Sequence, residues 1–171
     1  GVLDLDREAL ESAVTRLRAS GAANVSAYPG DVAGHEFVAA AVTGFSQANQ
    51  GLDVMVNNAG VAVAGAVEAT PVDDWNWIVG INLLGVVWGC RTALPVMKRQ
   101  GSGLVFNIAS SAGFAAAPQM SAYNATKAGV IALSETLASE LAGTGLQVSC
   151  AMPGFFRTHL LDHMRAPPEE N

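Results

Sequence analysis

Apolar runs of four to six residues alternate along this chain with longer stretches in which apolar residues recur every three or four positions. Short apolar runs predict buried strands and the 3.6-residue period predicts amphipathic helices, so the alternation predicts an α/β fold with a parallel sheet built from βαβ units. Val2-Leu3 reads as the end of a strand, and Asp6 is placed to cap a helix from Arg7 to about Ser20 that Gly21 closes. Next come a strand from Val25 to Tyr28, a helix from about Gly34 to Gln47 and a strand from Leu52 to Asn57. Val72 to Gln100 reads as one long helix with an apolar side, broken near Pro71 and bent at Pro95. A strand from Leu104 to Ile108, a helix from Ala122 to Ala142 and a strand from Gln147 to Met152 complete the pattern. No repeat or linker interrupts it before the polar, proline-containing stretch from Arg165 to Asn171, expected to be a mobile tail.

Composition narrows the function classes. The 171 residues, half of them hydrophobic, suffice for one core and one domain. A net charge of −6, with 9 scattered Lys and Arg, argues against a nucleic-acid partner, which needs clustered cations. The richest apolar stretch, Trp77 to Cys90, is interrupted by Asn82 and three glycines, so no membrane partner is expected. Cys90 and Cys150 fall in segments expected to be buried and read as reduced thiols of a cytoplasmic protein. His35, His159 and His163 form no convincing metal-ligand set and read as surface or lid residues.

The candidate chemistry lies in Tyr123 and Lys127, spaced Y-x-x-x-K in a predicted helix, with Ser110 thirteen residues before the tyrosine. Residues four apart share a helix face, so the ammonium can sit beside the phenol and favour its ionised form. That turns a poor base into a group able to exchange a proton with a substrate oxygen, which Ser110 would hold in place. Asn107 to Gly113 follow a strand-like run, and strand ends are where open α/β sheets place their chemistry.

These residues do not stand alone. Asn57-Asn58-Ala59-Gly60 after a strand, Asn82 in the long helix, Ser110, Tyr123-x-x-x-Lys127 and Pro153-Gly154-x-x-x-Thr158 occur in one order, and with them the chain resembles the short-chain dehydrogenase/reductase family from its first residues to about Thr158. The resemblance implies a Rossmann-like, doubly wound parallel sheet with helices on both faces. It also implies hydride transfer between NAD(H) and a secondary alcohol or ketone. Ser110 would then bind the substrate oxygen, Tyr123 exchange its proton, Lys127 support the phenolate and hold the nicotinamide ribose, and Asn82 position a water in a proton relay. Asp4 matches the acidic residue that accepts from the ribose hydroxyls and would repel a 2′-phosphate, which implies NAD; a helix-start role is the other reading, shared with Asp6. Asp31 matches a residue contacting adenine, or else a loop or capping aspartate. Asn58, Ala59 and Gly60 would pass beneath the cofactor, and Pro153, Gly154 and Thr158 would line the nicotinamide.

Phe114, Gln119, Met120, Phe155 and Phe156 lie in segments that could line a substrate pocket. Helices 72–100 and 122–142 resemble the pair that builds dimer interfaces in the family, so a homodimer or homotetramer is expected. Family members open with a strand and a T-G-x-x-x-G-x-G loop and close with a substrate-covering segment. The chain is therefore expected to be a fragment, with roughly 30 residues of a βαβ unit preceding Gly1. A non-catalytic association module and an NADP-dependent reductase are the alternative readings.

Overall fold

The computed structural model describes residues 1–154, 160 and 164–166. Strand β1 (Val2–Asp4) leads into helix α1 (Arg7–Ala19), β2 (Ala27–Pro29) and α2 (His35–Ala48). Strand β3 (Val54–Asn57) is followed by α3 (Val72–Val79), a single π-helical turn (Gly80–Leu84) and α4 (Gly85–Gln100). Then come β4 (Gly103–Ile108), a short 3-10 turn (Ser111–Gly113), α5 (Ser121–Glu140) and β5 (Leu146–Ala151). The capping reading of Asp6 holds: its carboxylate accepts from the N–H groups of Glu8 and Ala9.

All paired strands are parallel, and they form two sheets, β1-β2 and β3-β4-β5. A helix joins the two strands of each parallel pair, and such crossovers are right-handed and place helices on both faces. The main core lies where α2, α4 and α5 meet β4 and β5, with Val38, Val42, Val86, Ala93, Met97, Val105 and Val130 buried together. On β3 the neighbouring positions Val54 and Val56 are 49% and 52% exposed, because α4 covers only the opposite face of that strand.

Several boundaries differ from the sequence reading. The second strand starts at Ala27 rather than Val25 and the third at Val54 rather than Leu52. The long helix also carries a π turn that the sequence reading did not anticipate, where the Gly85 N–H donates to the Gly80 carbonyl five residues back, and α4 continues through Pro95. Pro95 sits on the exposed side of α4, where water can satisfy the carbonyl left without a donor. By length and overall composition, Val72–Gln100 would also be apolar enough to span a membrane, which the count of uninterrupted apolar residues did not show. Here its buried side packs as the central helix of the core. Arg165, expected at the head of a mobile tail, pairs through its backbone with Ala62 and Ala64; residues 167–171 lie outside the described part.

Candidate active site

A cleft of about 1080 Å³ extends from Gly1, Leu52 and Val54 at the starts of β1 and β3 to the carboxyl ends of the strands, and its lining includes Asp4, Asp31, Ser110, Tyr123 and Lys127. Asn58, Ala59, Gly60, Pro153 and Gly154 also line it. Almost all of the sequence-identified set is thus brought to one place. Thr158, Phe155, Phe156, His159 and His163 lie outside the described residues. Met120 lines the cleft, whereas Phe114 is 70% exposed, and neither Phe114 nor Gln119 is part of the lining.

Tyr123 and Lys127 occupy the buried face of the first turns of α5, with Lys127 only 4% exposed. The Lys127 Nζ donates to the Ile108 carbonyl at 3.0 Å and lies 5.8 Å from the centre of the Tyr123 ring. Burial pushes the ammonium down to about 8, partly opposed by the nearby Cys150 thiol. α5 can approach because Gly113 has no side chain: a Cβ there would come within 2.9 Å of the Lys127 carbonyl carbon. The Ser110 Oγ accepts from the Ala112 N–H at 3.2 Å, and the Ser111 N–H donates to the Pro153 carbonyl at 3.0 Å. That second bond ties the serine loop to the segment after β5.

Asn82, fully buried, grips Val61 by both backbone groups. Its Oδ1 accepts from the Val61 N–H at 2.8 Å and its Nδ2 donates to the Val61 carbonyl at 2.9 Å and to the Thr126 hydroxyl at 3.3 Å. The π turn places this asparagine, which fixes the path of the chain leaving Gly60 and links it to α5. Asp4 does not cap α1: its Oδ1 accepts from the Asp6 N–H at 2.9 Å, and the exposed carboxylate lines the cleft. Asp31 accepts from the Ala33 N–H at 2.8 Å in a local turn, while α2 starts at Gly34 without a side-chain cap. Asp31 is thus a loop aspartate and not a cap, and Asp4 sits just before the start of α1, bonded to its N-cap residue. His35 is a surface residue that meets Trp88 edge-on, with ring centres 4.9 Å apart.

The sequence reading missed a buried polar ladder beneath the site. Asn57 Nδ2 donates to Asn107 Oδ1 at 2.8 Å, and Asn107 Nδ2 donates to Ser134 Oγ at 2.9 Å, joining β3, β4 and α5. Cys90 lies against both asparagines, and burial raises its thiol to about 11. The signal was present: an asparagine falls on the inward face of two otherwise apolar strands, a position that demands a partner. Asn124 was also missed; its Nδ2 donates to the Ala117 carbonyl at 2.8 Å and pins the loop before α5.

A short chain dehydrogenase family model matches residues 1–169. The chain belongs to the short-chain dehydrogenase family. It is 35% identical over 170 residues to 2-(R)-hydroxypropyl-CoM dehydrogenase of Xanthobacter autotrophicus, covering 98% of this chain and 68% of that protein. It is 41% identical over 112 residues to D-beta-hydroxybutyrate dehydrogenase of Rhizobium meliloti, covering 66% of this chain and 43% of that one. Among solved structures, a short-chain dehydrogenase/reductase from Burkholderia phymatum in complex with NAD superposes with a TM-score of 0.90 at 35% identity, over 94% of this chain and 58% of that one. A gluconate 5-dehydrogenase from Burkholderia cenocepacia, in complex with NADP and tartrate, superposes at 0.86 and 31% identity, over 93% and 62%. The chain therefore spans about two fifths to two thirds of the length of these relatives. Its membership establishes an oxidoreductase family whose members include dehydrogenases and reductases acting on small molecules.

Proposed function

We propose that the protein interconverts a secondary alcohol and a ketone with NAD(H), using Ser110, Tyr123 and Lys127. The observation that carries this reading is that a buried ammonium, a tyrosine and a serine line the same cleft as the exposed residues Asp4 and Asp31. The lining suits a dinucleotide: Gly60 brings backbone close to Lys127 and Asn82, and a Cβ there would lie 3.5 Å from the lysine Nζ. Asp4 would hold the adenosine ribose, Asp31 the adenine, and Asn58, Ala59, Gly60, Pro153 and Gly154 the remainder. Asp4 favours NAD over NADP because a carboxylate repels a 2′-phosphate. A bound nicotinamide supplies the hydride acceptor or donor.

The chain's own residues handle the proton. Ser110 Oγ donates to the substrate oxygen and holds it against Tyr123, whose phenol oxygen takes the proton of the alcohol in oxidation and returns it in reduction. Lys127 supports the phenolate by its charge. Its ammonium has three N–H donors and Ile108 accepts from one, which leaves capacity to bind ribose hydroxyls. Asn82 keeps Val61, and with it the 58–60 turn, in position for the same relay.

Cyclohexanol oxidation followed by NADH absorbance tests this reading. Tyr123→Phe abolishes turnover while NAD binding, measured by calorimetry, stays within about threefold, because no cofactor-holding charge is removed. Retained turnover in that variant refutes the assignment.

A further inference from the structure

Arg165 fastens together three pieces of the cleft rim. Its N–H donates to the Ala62 carbonyl at 3.1 Å and its carbonyl accepts from the Ala64 N–H at 2.8 Å, pairing it in parallel across Val63. Its guanidinium donates to Asp74 Oδ1 at 2.8 Å and stacks 3.7 Å from the centre of the Trp77 ring. Asp74 and Trp77 are three apart and therefore share one face of α3. The Asp74 side chain is 15% exposed and that of Arg165 46%, so the pair is shielded on the aspartate side alone, and the aromatic face adds to it.

The residues so fastened bear on the site. Met164, beside Arg165 in the chain, lines the cleft; Leu160 also lines it and packs against the cluster that contains Tyr123. Ala62 and Ala64 line it as well and continue directly from Val61, the residue gripped by Asn82.

We propose that Arg165 is a positioning residue for substrate. By tying its backbone to residues 62–64 and its guanidinium to α3, it holds the adjoining Met164 in the apolar wall of the cleft. It thereby sets affinity for the apolar body of the substrate and leaves proton exchange at Tyr123 untouched. This rests on the alcohol/ketone reading above.

The test compares Arg165→Ala, Arg165→Lys and Asp74→Asn with the unaltered chain. Amide hydrogen exchange at Ala64 and at position 165 is read alongside KM and kcat for cyclohexanol and for 2-propanol with NAD. Losing an ion pair and a cation–π contact should speed exchange at both amides and raise KM for cyclohexanol by about tenfold in Arg165→Ala. KM for the smaller 2-propanol and kcat for both should stay within about twofold. Arg165→Lys, which keeps the charge and the ring contact, recovers most of the loss, and Asp74→Asn falls between. Unchanged exchange in Arg165→Ala overturns the proposal. So does an equal loss on both alcohols that lysine fails to rescue, which marks a merely structural role. If the unaltered chain oxidises neither alcohol, the functional reading falls, and exchange alone decides whether Arg165 fastens the rim.

Discussion

Replacing Lys127 by methionine separates what the buried ammonium does for chemistry from what it does to the fold. Burial moves the Lys127 ammonium from 10.5 to about 8, which corresponds to about 3 kcal/mol against its charged form. Methionine keeps much of the stem and removes the charge, at the expense of the hydrogen bond to the Ile108 carbonyl, a loss of about 1–2 kcal/mol. At neutral pH the variant should therefore be about 1–2 kcal/mol more stable than the parent, although inactive. The pH dependence has a definite sign. Because the folded value lies below the unfolded one, the unfolded chain binds more protons between pH 8 and 10.5, so this group makes the parent more stable as pH rises through that window. Methionine has no such term, so the variant's advantage falls by about 1.4 kcal/mol per pH unit above about pH 8 and reverses between about pH 9 and 10, where the neutral amine still donates to Ile108. Urea unfolding of both proteins at about pH 7 and about pH 10 measures the difference, with other titrations cancelling between them. A variant less stable than the parent by the same amount at every pH would refute the reasoning.

Gly89→Ala should destabilise despite the better helix propensity of alanine. A Cβ there would overlap the Asn57 side-chain oxygen, so the overpacking cost of about 1–3 kcal/mol exceeds the propensity gain of about 1 kcal/mol; an unchanged melting temperature would show that the ladder beneath the site yields freely. Asp4→Ala should weaken NAD binding by about tenfold through loss of a hydrogen bond to a charged group, and narrow any preference over NADP. Calorimetry with both nucleotides checks this, and an unaltered ratio would remove Asp4 from cofactor choice.

The fold was legible where local pattern decides it. Strands such as Leu104 to Ile108 announce themselves as short apolar runs, and the Tyr123–Lys127 pair is visible because helical spacing alone puts the two side chains on one face. Long-range partners were not. Asn57 and Asn107 are separated by 50 residues and Asp74 and Arg165 by 91, so neither pairing leaves a periodic trace. The roles of Asp4 and Asp6 could not be divided by composition, since both precede the same helix; only the bonds to Glu8 and Ala9 show that Asp6 alone caps it. The sequence reading looked for irregularity in the long helix only at Pro71 and Pro95, because proline is the usual cause of breaks and bends. A π turn is set by hydrogen-bond register and needs no special residue.

That turn gives the site an unusual dependence on counting. Removing any one residue between Gly80 and Leu84 would let the run close into an uninterrupted α-helix with α3 and α4 still in phase, because a π turn holds one residue more than the α-helix it interrupts. Asn82, inside the bulge, would lose its aim at Val61, whereas Trp77 and Asp74 would still face Arg165. A deletion there would act on the site alone, unfastening the chain that leaves Gly60 while the helix on either side stays in place.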